Sequence, residues 1–334
     1  MRVLVTGANG FLGTHVVSAL LTRGHQVRAL IRPAASSRAL EGRGVSDIVR
    51  ADLRSSPELE LAFAGVDVLV HLAAAVTGGE DEMFASTVVG TERLLNAMAG
   101  TTCRRIVLAS SFSVYDWSEI RDTLDERSPL ERAPDLYERD GYSIAKSWQE
   151  RLTRRFASGH GWDLTVLRPG FIWGRDHAYL AALGQQLGPV HIVIGPATRI
   201  PMTHVENCAD LFALAASDPR ASGQTFNVVD GPGERIWSFL GTYLRGMGER
   251  GMRIPVPYSA VHRVISLAFA TVFRRNLKLP QILIPCRFES RLKPLSYTCQ
   301  HAHDVLGWQP PVSFDQCVAR TFGPGPVVRP DDVR

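Results

Sequence analysis

The sequence is short of every feature that would place the protein outside the cell or on a nucleic acid. Its five cysteines (Cys103, Cys208, Cys286, Cys299 and Cys317) form an odd, widely spaced set with no C-x-x-C pair. A disulfide framework and a zinc site are therefore not expected, and a reducing cytoplasm is the compartment that fits. No basic leader and apolar core precede the fold, because MRVLVTGANGFLG runs straight into a strand and a glycine turn. Charge of one sign is lacking too: 37 basic residues against 33 acidic leave a formal charge of +4. With no long basic run, nucleic acid is not expected as a partner. No apolar stretch reaches the ~20 residues that span a bilayer. The strongest candidate, AVHRVISLAFATVF, is broken by His262 and Arg263. It reads as a helix lining an apolar substrate pocket, not as a membrane anchor, despite Arg274, Arg275 and Lys278 beside it.

What is present is alternation. RVLVTG, QVRALIR, VDVLVHLAA and RRIVLASS are short apolar runs, separated by the helical patterns FLGTHVVSALLTRG, ELELAFAG and STVVGTERLLNAMAG. Apolar strands joined by crossover helices predict an α/β fold with a doubly wound parallel sheet, both faces covered. DLTVLRPG and QTFNVVDG supply two further strands. The dinucleotide-binding domain then comprises residues 1–173 and 201–230. A smaller, discontinuous substrate domain takes 174–200 and 231–322, and the tail 323–334, GPGPVVRPDDVR, reads as disordered.

The first turn carries the clearest signal. Gly7, Gly10 and Gly13 stand at spacing three between an apolar strand and an apolar-periodic helix. Gly7 permits the tight turn, Gly10 lets backbone approach a diphosphate, Gly13 allows close packing of the helix, and the helix N-terminus supplies amide donors. TGANGFLG, with Phe11 and Leu12 inside it, resembles the cofactor loop of the extended short-chain dehydrogenases/reductases, the NAD-dependent epimerase/dehydratase family, which includes dihydroflavonol-type reductases and 3β-hydroxysteroid dehydrogenases. Further motifs carry the resemblance along nearly the whole chain: Asp52-Leu53, His71-Leu72-Ala73-Ala74, Ser110-Ser111, Leu167-Arg168-Pro169-Gly170, His204-Val205-Glu206-Asn207 and Leu306-Gly307-Trp308-Gln309-Pro310. The resemblance implies a Rossmann-type fold and a nicotinamide cofactor. It places Asp52 and Leu53 at the adenine, Leu72, Ala73 and Ala74 at the ribose and diphosphate, and Ser110, Pro169 and Gly170 along the remainder of the cofactor.

Tyr142 and Lys146 are spaced by four at the start of a helix, so they share one face. A tyrosine ordinarily titrates near ~10, and a neighbouring ammonium favours its phenolate. The resemblance implies that Tyr142 exchanges a proton with the substrate oxygen while hydride passes at the adjacent carbon, that Lys146 also holds the nicotinamide ribose, and that Ser111 hydrogen-bonds the reacting oxygen. The chain departs from the family pattern at Thr87, where asparagine is frequent, and at Asp116, where glycine is. Phe112 and Ser113 occupy the places where dehydratases carry an acidic pair, which argues against water loss. RPGFIWG lacks the asparagine usual in sugar-nucleotide epimerases.

These readings converge on hydride transfer between a nicotinamide and a carbonyl or secondary alcohol of a small or medium apolar or glycosyl-like molecule. Epimerisation through a transient ketone is the alternative, and a non-catalytic cofactor-binding regulator is a third reading. NADP is expected, with NAD possible: the acidic slot after the second strand is Ile31, and Arg32 follows it. A guanidinium can hold a 2′-phosphate and stack on adenine. No metal is expected. His301, His303 and Asp304 read as a helix start, and His71 and His204 as sheet-end histidines. A homodimer through helices spanning 83–99 and 143–158 is usual in the family.

Overall fold

A computed structural model describes residues 1–57, 59–132, 141–272 and 285–324. The expected tail lies outside these from residue 325, as do Arg274, Arg275 and Lys278. In chain order the strands are β1 (Arg2–Thr6), β2 (Gln26–Ile31), β3 (Asp47–Arg50), β4 (Val68–His71), β5 (Arg105–Ala109), β6 (Thr123–Leu124) and β7 (Asp163–Pro169). They continue with β8 (Phe171–Trp173), β9 (Gln185–Leu187), β10 (Val190–Ile194), β11 (Met202–His204), β12 (Thr225–Val228), β13 (Met252–Val256) and β14 (Ser296–Tyr297). The helices are α1 (Phe11–Thr22), α2 (Arg38–Glu41), α3 (Glu80–Phe84), α4 (Gly90–Ala99), α5 (Gly141–His160) and α6 (Val205–Ser217). After them come α7 (Ile236–Gly246), α8 (Tyr258–Val272), α9 (Pro285–Leu292), α10 (Gln300–Leu306) and α11 (Phe314–Phe322).

Seven strands form one sheet in the order β12-β7-β5-β4-β1-β2-β3, every pair parallel. Its central strands are apolar on both faces because helices cover both: Val3, Leu4 and Val5 in β1 and Leu69 and Val70 in β4 are inaccessible to solvent. Each such side chain contributes roughly 1.5–3 kcal/mol on burial. On one face, Val16, Val17 and Leu20 of α1 pack with Leu211, Phe212 and Ala215 of α6. On the other, Leu94, Leu95 and Met98 of α4 meet Ala157 of α5. The chain winds outward from β1 in one direction through β2 and β3, then returns and proceeds from β4 in the other. A crevice opens where that order reverses, beyond the carboxyl ends of β1 and β4.

Segments on either side of β12 build a second body around β13-β10-β9, with β8 paired to β11, and β14 pairs with β6 from the chain before β7. Trp173, Phe239, Ile265 and Phe288 anchor its core. Three local readings are revised by this arrangement. ELELAFAG closes into a 3-10 helix, Leu59–Phe63. STVVGTERLLNAMAG is not a regular helix throughout: Ala85–Val89 is a π-helical turn joining α3 to α4. Helix α8 does form from the apolar run, but none of its residues line the cavity at the crevice; Ile265 is its buried side chain, while Val264 and Leu267 are 67% and 68% exposed. No helix among the described residues is long and apolar enough to cross a membrane.

Candidate active site

The glycine turn sits at the crevice and its residues are placed by contact, not only by conformation. Gly7 has φ +68°, and a β-carbon there would lie 3.0 Å from the Ala73 backbone nitrogen, across the point where the strand order reverses. A β-carbon on Gly13 would stand 2.1 Å from the Gly7 carbonyl oxygen, so α1 can begin against the turn only with glycine at that position. Gly10 precedes α1, and no side chain caps the helix. The first amides of α1 therefore face the crevice without a competing side-chain acceptor, which suits an anionic diphosphate.

Ser111, Tyr142 and Lys146 line the same cavity of about 850 Å³ as Gly7, Gly10, Phe11, Leu12 and Gly13. So do Arg32, Asp52, Leu53, Leu72, Ala73, Ala74, Ser110, Pro169 and Gly170. Residues far apart in the chain thus converge on one site. Within it their positions differ in character. Arg32 is exposed at the end of β2. The loop after it, which carries no anchor of its own in the sequence, is held by Arg50, whose guanidinium donates to the Pro33 carbonyl at 3.0 Å and the Ala35 carbonyl at 2.8 Å. Asp52 is paired with Arg54 at 3.1 Å, and the hydrogen bond from Arg54 holds its carboxyl below the usual range. Gly170 is demanded by the fold as much as by any ligand, since a β-carbon there would meet the Pro201 carbonyl oxygen at 2.3 Å.

The two serines are separated by the structure. Ser110 turns inward: its hydroxyl donates to Glu150 Oε2 at 2.5 Å. Ser111 caps the short 3-10 turn Phe112–Val114, its Oγ accepting from the Ser113 amide at 3.1 Å, and it faces the cavity. Its hydroxyl proton is not used in that contact.

Tyr142 and Lys146 occupy the first turns of α5. Lys146 is buried, and its ammonium donates to the Ala109 carbonyl at 2.7 Å and to Gln149 Oε1 at 2.9 Å. Burial pulls its pKa down to about 7, against the opposing attraction of Glu150. Glu150 is in turn gripped by Arg168, with Nη2 to Oε1 at 2.6 Å and Nε to Oε2 at 3.1 Å. Burial raises the Glu150 pKa, but the bonds and charge of Arg168 outweigh it and bring the carboxyl to about 2. Arg168 also reaches Tyr115, whose hydroxyl donates to Asn227 Oδ1 at 2.6 Å. This buried chain pins α5 to the ends of β5, β7 and β12.

Gln149, Glu150 and Arg168 were not assigned to the site from sequence. The first two follow Lys146 at helical spacing, but nothing local shows which sheet residues they meet. The departures at Thr87 and Asp116 prove to be local solutions. Thr87 sits within the π turn, where its hydroxyl accepts from the Ala75 amide at 3.0 Å, and Asp116 accepts from Ser118 within its own loop. Beside Ser111, Tyr142 and Lys146 the cavity is walled by Phe112, Trp117, Phe171, Ile172, Ala181 and Pro201, with Ser290 and Arg291 contributed by α9. His71 is buried at the end of β4, bonded to Thr6 at 2.7 Å, and burial followed by the Lys146 charge lowers its pKa to about 3. His204 is buried beside Trp173 at the start of α6. Among the described residues no group of three or more His, Cys, Asp or Glu side chains is arranged to hold a metal.

The profile of the NAD dependent epimerase/dehydratase family matches residues 3–229, the span that contains the turn, the serines and the Tyr142/Lys146 pair. The chain belongs to this family. This extended short-chain dehydrogenase/reductase is 31% identical over 272 residues to the 4-hydroxy-2-methyl-3-oxo-4-farnesyl-3,4-dihydroquinoline-1-oxide ketoreductase of Stigmatella aurantiaca, covering 80% of this chain and 79% of the relative. It is 28% identical over 335 residues to the 3 beta-hydroxysteroid dehydrogenase/Delta 5-->4-isomerase of Mycobacterium tuberculosis, covering 95% and 88%. Among solved structures, a short-chain dehydrogenase/reductase superfamily protein from Agrobacterium tumefaciens with bound NAD shares the fold with a TM-score of 0.70 at 21% identity, over 96% of both chains. The protein is accordingly an NAD(P)-dependent oxidoreductase of the extended short-chain type.

Proposed function

We propose that this oxidoreductase transfers hydride between NADP and a ketone or secondary alcohol borne by a bulky, largely apolar molecule. The observation that carries the reading is the shared cavity: Ser111, Tyr142 and Lys146 face the same space as the glycine turn, and the wall beyond them is Phe112, Trp117, Phe171 and Ile172. A wall of that kind suits fused rings or a polyketide chain better than a nucleotide sugar. Names among the relatives agree with it, since they describe reduction of a farnesylated quinoline oxide, oxidation of hydroxysteroids and reduction of a tetraketide pyrone.

Bound nicotinamide supplies or accepts the hydride. Tyr142 holds the proton at its phenolic oxygen and exchanges it with the substrate oxygen. Ser111 donates its hydroxyl to that same oxygen, and Lys146 stabilises the phenolate by its charge. Arg32 supports the choice of NADP: it is exposed at the mouth of the cavity, and no ion pair or hydrogen bond among the described residues occupies its guanidinium. Residues 174–200 and 231–322 serve as the substrate domain. Two copies pair in a cytoplasmic homodimer through α4 with the π turn before it and α5, where Val89 of the turn and Trp148 of α5 stand 40% and 44% exposed.

Tyr142→Phe tests the reading. Turnover with a bulky ketone should fall by about 10²- to 10⁴-fold while NADP still binds, and retention of more than about a tenth of the rate would refute the role of Tyr142. One cofactor consumed per product formed is expected; full conversion with catalytic cofactor would instead establish epimerisation.

A further inference from the structure

Lys146 is held by one backbone acceptor and one side-chain acceptor. The Ala109 carbonyl is part of β5 and cannot be varied by mutation, but Gln149 Oε1 belongs to a residue that the chemistry does not otherwise use. Gln149 is inaccessible to solvent. Its amide nitrogen lies 3.2 Å from the Ala73 carbonyl oxygen, 2.9 Å from Thr91 Oγ1 and 3.1 Å from His71 Nε2. The carboxamide has only one workable orientation. Turning it over would set its NH2 against an ammonium and its oxygen against the Ala73 carbonyl, replacing two hydrogen bonds by repulsive contacts. Gln149, Lys146, His71 and Thr91 are all buried, so their bonds are strong and the loss of one is costly.

Ala73 belongs to the turn after β4 that lines the cofactor side of the cavity and lies against Gly7. Gln149 therefore spans two parts of the site. One end of its amide grips the lysine that aligns Tyr142, and the other grips the backbone against which the cofactor docks. We infer that Gln149 is a positioning residue, fixing Lys146 through Oε1 and the Ala73 turn through Nε2, so that one buried carboxamide aligns the ammonium with the cofactor cradle. The inference rests on the Tyr142/Lys146 reading given above.

Two variants of the full chain separate the two ends. Gln149→Glu keeps an acceptor for Lys146 and removes the donor to Ala73; Gln149→Met removes both. The Lys146 Nζ titration is followed by the 13Cε signal in cofactor-free, lysine-labelled protein, assigned by its absence from Lys146→Met. The charges facing Lys146 are Glu150 on its own helix and, in Gln149→Glu, the introduced carboxylate; His71, across from it, is neutral in the wild type. The midpoint should rise by about one pH unit or more in Gln149→Glu, a tenfold gain in proton affinity, and fall in Gln149→Met. Cofactor affinity, read by fluorescence titration without substrate, should weaken about tenfold in both, because neither holds the Ala73 carbonyl.

A residue that merely fills space would not move the two midpoints in opposite directions. Midpoints within about 0.3 units of the wild type in folded variants, or unaltered cofactor affinity in both, would overturn the inference. If Gln149→Met does not fold, Gln149→Glu decides alone, since its midpoint must rise. Neither readout uses turnover. Failure of the hydride-transfer reading would show as an active Tyr142→Phe enzyme with these shifts still present.

Discussion

Glu150 lies between Arg168 and Ser110 with side-chain exposure of only 4%, and Arg168 is as deeply buried at 3%. Replacing Glu150 by leucine leaves that guanidinium in a dry interior with Tyr115 Oη as its remaining named partner. Removing one member of a buried pair costs about 3–5 kcal/mol. The titration of the carboxyl gives a concordant figure: holding it at about 2 instead of its ordinary 4.5 corresponds to about 3 kcal/mol. For a chain of 334 residues the unfolding entropy is roughly 0.7 kcal/mol per degree, so the melting temperature should fall by about 4–7 °C. The contribution is present above pH 4.5 and is lost as pH falls toward 2, because the unfolded carboxyl takes up its proton first. Wild type and variant should therefore converge in stability across that window. The double variant Glu150→Leu/Arg168→Met should recover at least half of the loss, since two apolar groups need no partner. Differential scanning calorimetry at pH 7 and along the acid range reads all of this. A single variant within about 1 °C of the wild type, or a double variant no better than the single, would show that the pair does not act as a buried ion pair.

Lys146 shifts stability with pH in the same direction over a higher range, since its folded pKa lies near 7 against 10.5 unfolded. Between those values the unfolded chain binds more protons, so the stability of the wild type relative to Lys146→Met should rise with pH from about 7 to 10.5, and a flat difference in thermal unfolding would contradict the burial of this ammonium. Arg32→Ala should weaken NADP at least about tenfold and leave NAD nearly unaltered when both dissociation constants are measured at one salt concentration; equal weakening of both would mean that Arg32 does not read the 2′-phosphate. Gly13→Ala forces a methyl group to within 2.1 Å of the Gly7 carbonyl oxygen, so the turn must move. A loss of about 1–3 kcal/mol in stability and a marked loss of cofactor binding are expected, and unchanged binding in a calorimetric titration would disprove that the turn holds the diphosphate.

Features governed by short-range rules were legible in the chain before any contact was known. Apolar runs separated by amphipathic helices dictate parallel strands with covered faces, and glycines at spacing three between strand and helix dictate a turn open to phosphate, because both depend on residues within a few positions of one another. The Tyr142/Lys146 pair was legible for the same reason, being one helical turn apart. Even there, local rules missed what packing imposes: the π turn at Ala85–Val89 and the exposed course of α8 are not visible in periodicity. Which buried polar groups meet was settled by folding alone. Gln149 reaches Ala73 and His71, and Ser110 and Arg168 reach Glu150, across separations of 76, 78, 40 and 18 residues. A polar side chain carries no periodic signal for its partner. Its place is set by the cost of leaving it unpaired once the sheet and helices have closed around it.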